Sequence, residues 1–332
     1  MMPENTPELK PISNSSDANN KVTPTKVGWV IFWSVLSLIV TIIATMSVTK
    51  EYGVALYVGV PVTIGFTVGF VGKNLKGLIK GTLAVVITTT FLSLLLIALK
   101  IEGAICIIMI IVPLFLFVAV GFGIGKLLLE IVPKNNNYLV LFFLINPACI
   151  AADTQIEMVE NTITTKTVIN ATPAQIWQVL TNEVDFGKHE NFFFKNGVNY
   201  PLDMHLTQRN DSMLLRCNLR NCVTELYVDE LVPNKVLRFR SVKDVEPVKE
   251  LTIYDTLSTP HTNGEYFKHL YGKFELVPLA DGSTELIAES QFLYRLSPAF
   301  YWNWWSKYLV STMHNRVLQT VKDKTEHKHV RL

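Results

Sequence analysis

The residues able to do chemistry are gathered in the second half of this 332-residue sequence. Arg216 and Glu225 stand on two neighbouring runs with strand character, Ser212 to Leu219 and Val223 to Leu231. A guanidinium beside an enclosed carboxylate keeps it ionised, and the two can hold a ligand hydroxyl or carbonyl. His269, Tyr271, Glu289 and Arg295 fall on the last two strand-like runs, and Tyr301, Trp305, Tyr308 and His314 on a final helical stretch. General acid–base catalysis needs such a group within hydrogen-bond reach of a substrate, which spacing alone does not establish. Each also has an ordinary reading. Arg216 and Glu225 make a solvated cross-strand pair, the aromatics pack helix to sheet, and the histidines are satisfied or exposed imidazoles.

Several chemistries find no footing. The sequence holds no GxSxG elbow, P-loop, HExxH or GxGxxG dinucleotide signature. Four cysteines are too few for a disulfide scaffold, and no CxxC pair or Cys/His cluster has zinc spacing, so no metal and no other cofactor is expected. A net charge of +2 without a basic stripe argues against a nucleic-acid partner, whose phosphates would need neutralising.

The elements that must position these residues divide at about Ala152. Before it the chain carries ten lysines, six acids and no arginine or histidine. Residues 1–26 are polar, with NSSDANN at Asn14 to Asn20, and read as a disordered tail. Four charge-free runs follow: Val27 to Thr49, Tyr52 to Gly72, Gly81 to Leu99 and Gly103 to Gly125, each bounded by lysine or glutamate. About 20 apolar residues cross a bilayer as a helix, and these runs are apolar all round, so each is expected to span the membrane. Gly59, Gly65, Gly69 and Pro61 would let a neighbouring helix approach closely. An ion or proton pathway usually places an acid, arginine or histidine mid-span, and none is there.

Lysines on alternate sides put the amino terminus in the cytoplasm, because Lys73, Lys76, Lys80, Lys126 and Lys134 outweigh Lys50 and Lys100. Tyr138 to Ala152 is apolar but only about 22 Å long as a straight helix. It is either a fifth span, the reading slightly preferred, or an interfacial segment. Residues 27–152 thus form a membrane region of four or five helices, compatible with a bacterial cytoplasmic membrane, and the side occupied by 153–332 stays open.

In 153–332, Thr162 to Asn170 reads as a strand, and Thr172, Pro173 and Gln175 as a capped helix start with Ile176, Trp177 and Leu180 inward. A second, short helix fits within Val184 to Asn196. Candidate strands are Met204 to Thr207, Ser212 to Leu219, Val223 to Leu231, Val236 to Val242, Glu250 to Tyr254, His269 to Pro278 and Thr284 to Arg295. Asp281 and Gly282 mark a hairpin. Ser297 and Pro298 open a long helix whose apolar face is expected to carry Tyr301, Trp304, Trp305, Tyr308, Leu309, Thr312, Met313 and Val317. This order predicts an α+β helix-grip fold, a curved antiparallel sheet around a long terminal helix.

The runs VINATPAQIWQVL, RCNLRNCVTELYVDELVPNKVLRF and GKFELVPLADGSTELIAESQFLYRLSPAFYWNWW, with VLQTVKD near the end, resemble the START-like (SRPBCC) superfamily of polyketide cyclases, aromatic-ring cyclases and lipid-transfer domains. The resemblance covers about Thr162 to Lys324. It implies an apolar pocket between sheet and helix, with a few polar groups orienting a lipid or hydrophobic small molecule. Arg216, Glu225, His269, Tyr271, Glu289, Tyr301, Trp305 and Tyr308 are its candidate lining. Relatives commonly have a glycine-containing turn where this chain has Asn218 to Asn221 and then Cys222. If Leu219 and Arg220 form that turn, Arg216 pairs with Val223, and Cys217 and Cys222 become cross-strand partners. These cysteines are then either a disulfide or, preferably, two separate small apolar residues.

Three functions remain open: membrane-tethered ligand binding, transfer or sensing, the leading one; cyclase or dehydratase action on a polyketide-like or aromatic substrate; and a structural module whose pocket is filled by its own side chains and holds a protein partner.

Overall fold

The computed structural model describes residues 24–44, 53–72, 78–99, 103–131, 144–153, 157–241, 243, 245, 248, 250–251, 256–257 and 267–329. The expected disordered tail up to residue 23, residues 138–143 of the short apolar segment and residues 252–254 of the strand expected over Glu250 to Tyr254 lie outside them.

Within the described residues each charge-free run forms a helix. These are α1 (Pro24–Ala44), α2 (Val60–Val71, entered through a wider turn at Ala55–Gly59), α3 (Leu78–Ala98) and α4 (Ala104–Ile131). Ile79–Ala98 and Ala104–Leu128 are long and apolar enough to cross a membrane, and Ile31–Thr41 and Ala55–Val71 are shorter apolar stretches. The helices α2 and α4 meet through small residues. A Cβ on Gly65 would lie 2.0 Å from the Val118 carbonyl oxygen, and one on Gly121 would lie 2.1 Å from that of Val62. Gly65 and Gly69 therefore pack as their spacing predicts, with Gly121 and Gly125 of α4 as the other side.

The short apolar segment ends as α5 (Ile145–Asp153), packed against the first two helices. Asn146, buried beside Gly59, donates through Nδ2 to Ser37 Oγ at 2.9 Å and Thr63 Oγ1 at 3.0 Å. The Asp153 carboxylate accepts from the Val54 and Ala55 amides at 2.6 and 2.9 Å, which satisfies two orphan donors where the helix leading into α2 begins.

The second half is β1 (Val159–Ile169), α6 (Pro173–Thr181), β2 (Val184–Asp185), α7 (Phe192–Asn196), β3 (Pro201–Arg209), β4 (Ser212–Leu219), β5 (Val223–Val232), β6 (Val236–Ser241), a small ribbon of β7 (Glu250–Leu251) and β8 (Thr256–Leu257), β9 (Phe267–Pro278), β10 (Thr284–Tyr294) and α8 (Ala299–His329). Eight strands form one antiparallel sheet in the order β1-β10-β9-β6-β5-β4-β3-β2, curved around α8, which is a helix-grip fold. Local chemistry sets the joints. Gln175 Oε1 accepts from the Thr172 amide at 2.8 Å, and Gly282 turns the last hairpin at φ +85°.

Strict alternation on β10 buries Leu286, Ala288, Ser290, Phe292 and Tyr294 under α8. The helix starts just after its expected opening, with the Pro298 carbonyl accepting from Tyr301. Its buried face is also rotated from the expected one: Trp302 is buried and Trp304 is 60% exposed. Trp302 turns inward because it meets Tyr57 of the helical bundle, ring centroids 5.9 Å apart.

The two halves share a core. Tyr57, Ile105 and Met109 pack with Phe292, Tyr294 and Trp302. At this junction the Tyr301 hydroxyl donates to the Met109 carbonyl. That carbonyl would ordinarily accept from the amide four residues on, but residue 113 is a proline inside α4 and has no N–H. The proline thus leaves an acceptor that α8 takes up.

Candidate functional site

Between the sheet and α8 lies a cavity of about 320 Å³. Leu215, Leu226 and Phe274 form part of its sheet wall, and Trp305, Leu309 and Met313 part of its helix wall. Cys106 and Met109 of α4 also line it, so the bundle contributes to the enclosure. The void is almost wholly apolar, as a site for a greasy ligand requires. Its interior is open rather than filled by the domain's own side chains, which removes the reason for the structural-module reading.

Among the polar residues that interrupt this lining is a cluster on β9, β10 and α8, and a bulge aims it. Ser290 pairs with Gly272, but Phe292 pairs with His269, so two steps along β10 match three along β9. On one side of the irregularity the inward positions of β9 are Gly272, Phe274 and Leu276; on the other they are His269 and Phe267. The extra residue therefore turns His269 into the cavity. Across from it, His314 of α8 is held at both ring nitrogens, by Thr165 Oγ1 at 3.1 Å and Ser290 Oγ at 2.9 Å. Burial, and for His314 the neighbouring His269, lowers both imidazoles to about pKa 4, so both are neutral at pH 7.

The other candidates divide by face. Trp305 lines the cavity. Glu289 borders it, but Ala288 and Ser290 take the inward positions, so its carboxylate points outward and accepts from Tyr271 Oη at 2.8 Å. Tyr271 lies on the opposite side of the bulge from His269 and carries Arg238 over its ring at 4.0 Å. Tyr301 serves the α4 junction. Tyr308 accepts from Asn191 Nδ2 at 2.9 Å and packs on Phe193 outside the cavity.

Arg216 and Glu225 require a correction. Arg220 and Asn221 form the turn, closed by the Leu219 amide on the Cys222 carbonyl at 2.8 Å, and Arg216 pairs directly with Glu225. Leu215, Cys217, Thr224 and Leu226 point inward on these strands, which leaves the two charges on the outer face. There Glu225 meets Arg209 at 3.5 Å, a solvated pair of small energetic weight. The same register parts the cysteines: Cys217 faces Thr224, and both cysteines are free. Cys217 lines the cavity with its pKa pushed up to about 12 by burial, and Cys222 is exposed.

Sequence reasoning missed Ser290, Thr165 and the α4 wall. Alternation with Ala288 marks Ser290 as inward, and Pro113 marks Met109 as an unpaired acceptor. No group of three His, Cys, Asp or Glu among the described residues could hold a metal.

Neither a protein-family model nor a curated protein matches the chain. Among solved structures, the Zhui aromatase/cyclase from Streptomyces is 13% identical over 51% of this chain and 96% of its own, with a TM-score of 0.31. A START-superfamily protein from Mycobacterium smegmatis is 13% identical over 50% and 97%, TM-score 0.30. Truncated norcoclaurine synthase from Thalictrum flavum is 9% identical over 51% and 95%, TM-score 0.29. Likeness at these scores carries no argument by itself, so the assignment stands on strand order, sheet curvature and the gripping helix: the second half has a START-like helix-grip fold.

Proposed function

We propose that this chain is an integral membrane protein whose START-like domain binds a hydrophobic small molecule or lipid beside the bilayer. The observation that carries the reading is the shared cavity wall, in which Cys106 and Met109 of an apolar helix complete an enclosure otherwise built by sheet and α8. A tether of this kind raises the effective concentration of a pocket relative to lipid.

Outward side chains of the bundle support the membrane part. Phe91 is 65% and Val112 72% exposed, on helices apolar all round, a surface that water would penalise and lipid would not. The domain adjoins the bundle where α2 and α4 begin, the ends that Lys50 and Lys100 precede in the sequence. Together with Asp153 reaching the start of the helix before α2, this favours a fifth crossing and a domain outside the cytoplasm. Exposed Cys222 tests the side directly. A membrane-impermeant maleimide should label it in intact cells, and labelling only after lysis would refute that placement.

The binding test uses the full chain in nanodiscs with N-phenyl-1-naphthylamine, read by energy transfer from Trp302 and Trp305. Saturable binding is expected, and Ala288→Phe, which fills the cavity from β10, should weaken it at least about tenfold. Absence of saturable binding in the wild-type chain overturns the proposal. A cyclase or dehydratase reading would have to use His269 or His314, because Glu225 faces outward, and turnover of an aromatic polyketide mimic abolished by His269→Gln would select it.

A further inference from the structure

We propose that His269 anchors the polar end of the ligand, and that the ligand is a long apolar molecule carrying one uncharged hydrogen-bonding group, a hydroxyl or a carbonyl. This rests on the binding reading above and narrows it to a chemical class.

Two observations identify the anchor. First, the β9 bulge turns an imidazole into an apolar cavity, whereas unbroken alternation would have pointed it outward. Second, the two facing histidines differ in what holds them. Both ring nitrogens of His314 are used by Thr165 and Ser290, whereas His269 makes no hydrogen bond among the described residues. A polar group facing an apolar cavity is costly unless it is hydrogen-bonded, and a ligand hydroxyl or carbonyl at His269 would supply that bond. A neutral imidazole has one donor and one acceptor nitrogen, so a hydroxyl can meet either and a carbonyl can meet the N–H.

Charge selects against the usual lipid headgroups. The charged residues bordering the cavity, Lys273 and Glu289, are 3.5 Å apart and spent on each other. Lys273 also meets Glu275 at 3.1 Å, and Glu289 accepts from Tyr271. Among the described residues no free counter-charge is left there for a phosphate, carboxylate or ammonium group, and a buried charge without one is strongly disfavoured. The imidazoles are neutral at pH 7 and supply none.

The test displaces N-phenyl-1-naphthylamine from the full chain in nanodiscs at pH 7.5 with 1-decanol, decanoate or decylammonium, and compares each chain with its variants so that partition into lipid cancels. Decanol should displace best. His269→Leu should remove about tenfold of decanol's advantage over decanoate and decylammonium, each measured against the naphthylamine affinity of that same variant, and His269→Gln, which keeps a donor and an acceptor, should restore part of it. Retained naphthylamine binding shows that each variant has folded. A chain that binds no naphthylamine overturns the underlying reading. Wild-type chain that binds it but favours decanoate or decylammonium, or a His269→Leu variant that keeps the decanol advantage, overturns the inference.

Discussion

The α2–α4 interface and the sheet–α8 interface solve the same packing problem in opposite ways. In the bundle, Gly65 and Gly69 face Gly121 and Gly125, and backbone meets backbone with no room for a side chain. In the domain, Trp302, Trp305, Leu309 and Met313 hold α8 off the sheet and leave a cavity. In lipid, where the bundle is proposed to lie, helices gain little from burying further hydrocarbon and associate by close contact. A sheet and a helix in water gain from large side chains, and such side chains need not fill all the space between them. The void therefore belongs to the second interface.

The sharpest way to break this comparison is to put a large residue in the tight interface and a small one in the loose one. Gly121→Leu must displace the α2 backbone, so it should cost more than the about 1–3 kcal/mol of ordinary overpacking and abolish recovery of monodisperse protein in detergent. Leu309→Ala only enlarges an existing cavity and should cost about 2 kcal/mol, the low end for such truncations. Equal tolerance of the two changes would show that the interfaces do not differ as described.

What was legible in the sequence follows the same divide. Charge-free runs announce helices because a long, almost wholly apolar stretch is a local signal, and the Thr172–Gln175 start and the Asp281–Gly282 turn are local signals that the structure repeats. The site depends on non-local parity. One bulged residue between Gly272 and His269 decides which of His269 and Tyr271 faces the cavity, and no residue type in that run announces it. Placing the β4–β5 turn one residue later, at Arg220 and Asn221, leaves Arg216 and Glu225 on a common face. Which face that is follows from Leu215, Cys217 and Leu226 being apolar, a pattern that outranks the attraction of a charged pair as a sign of function. The α4 wall has no signal of its own, because contact between distant segments is set by how the two halves dock.

Acid should separate the two halves more gently. All seven histidines lie in the second half, and His269 and His314 titrate at about pH 4 in the folded domain against about 6.5 when unfolded. As pH falls the unfolded chain takes up protons first, so stability is full above about pH 6.5 and is lost from there towards 4. At pH 5 the loss is about 2 kcal/mol for each imidazole. Guanidinium unfolding followed by fluorescence at pH 7.5 and 5.0 should show the domain midpoint falling and bundle helicity unmoved. His269→Gln should remove about half of the shift, and an unchanged wild-type midpoint would refute the buried, neutral pair.

The smallest expected effect is at the joint. If Pro113 leaves the Met109 carbonyl without its helical partner, the Tyr301 hydroxyl replaces a bond within α4 by one between α4 and α8. Tyr301→Phe should then cost about 1 kcal/mol and leave the aromatic packing in place. Pro113→Ala returns an amide to the ladder and gives the carbonyl a local donor, so Tyr301→Phe should cost less in that background. A double-mutant cycle on thermal stability in nanodiscs reads the difference as a coupling of at least about 0.5 kcal/mol. Strictly additive costs would mean that the proline and the tyrosine act independently. The joint would then rest chiefly on apolar contacts such as Tyr57 on Trp302.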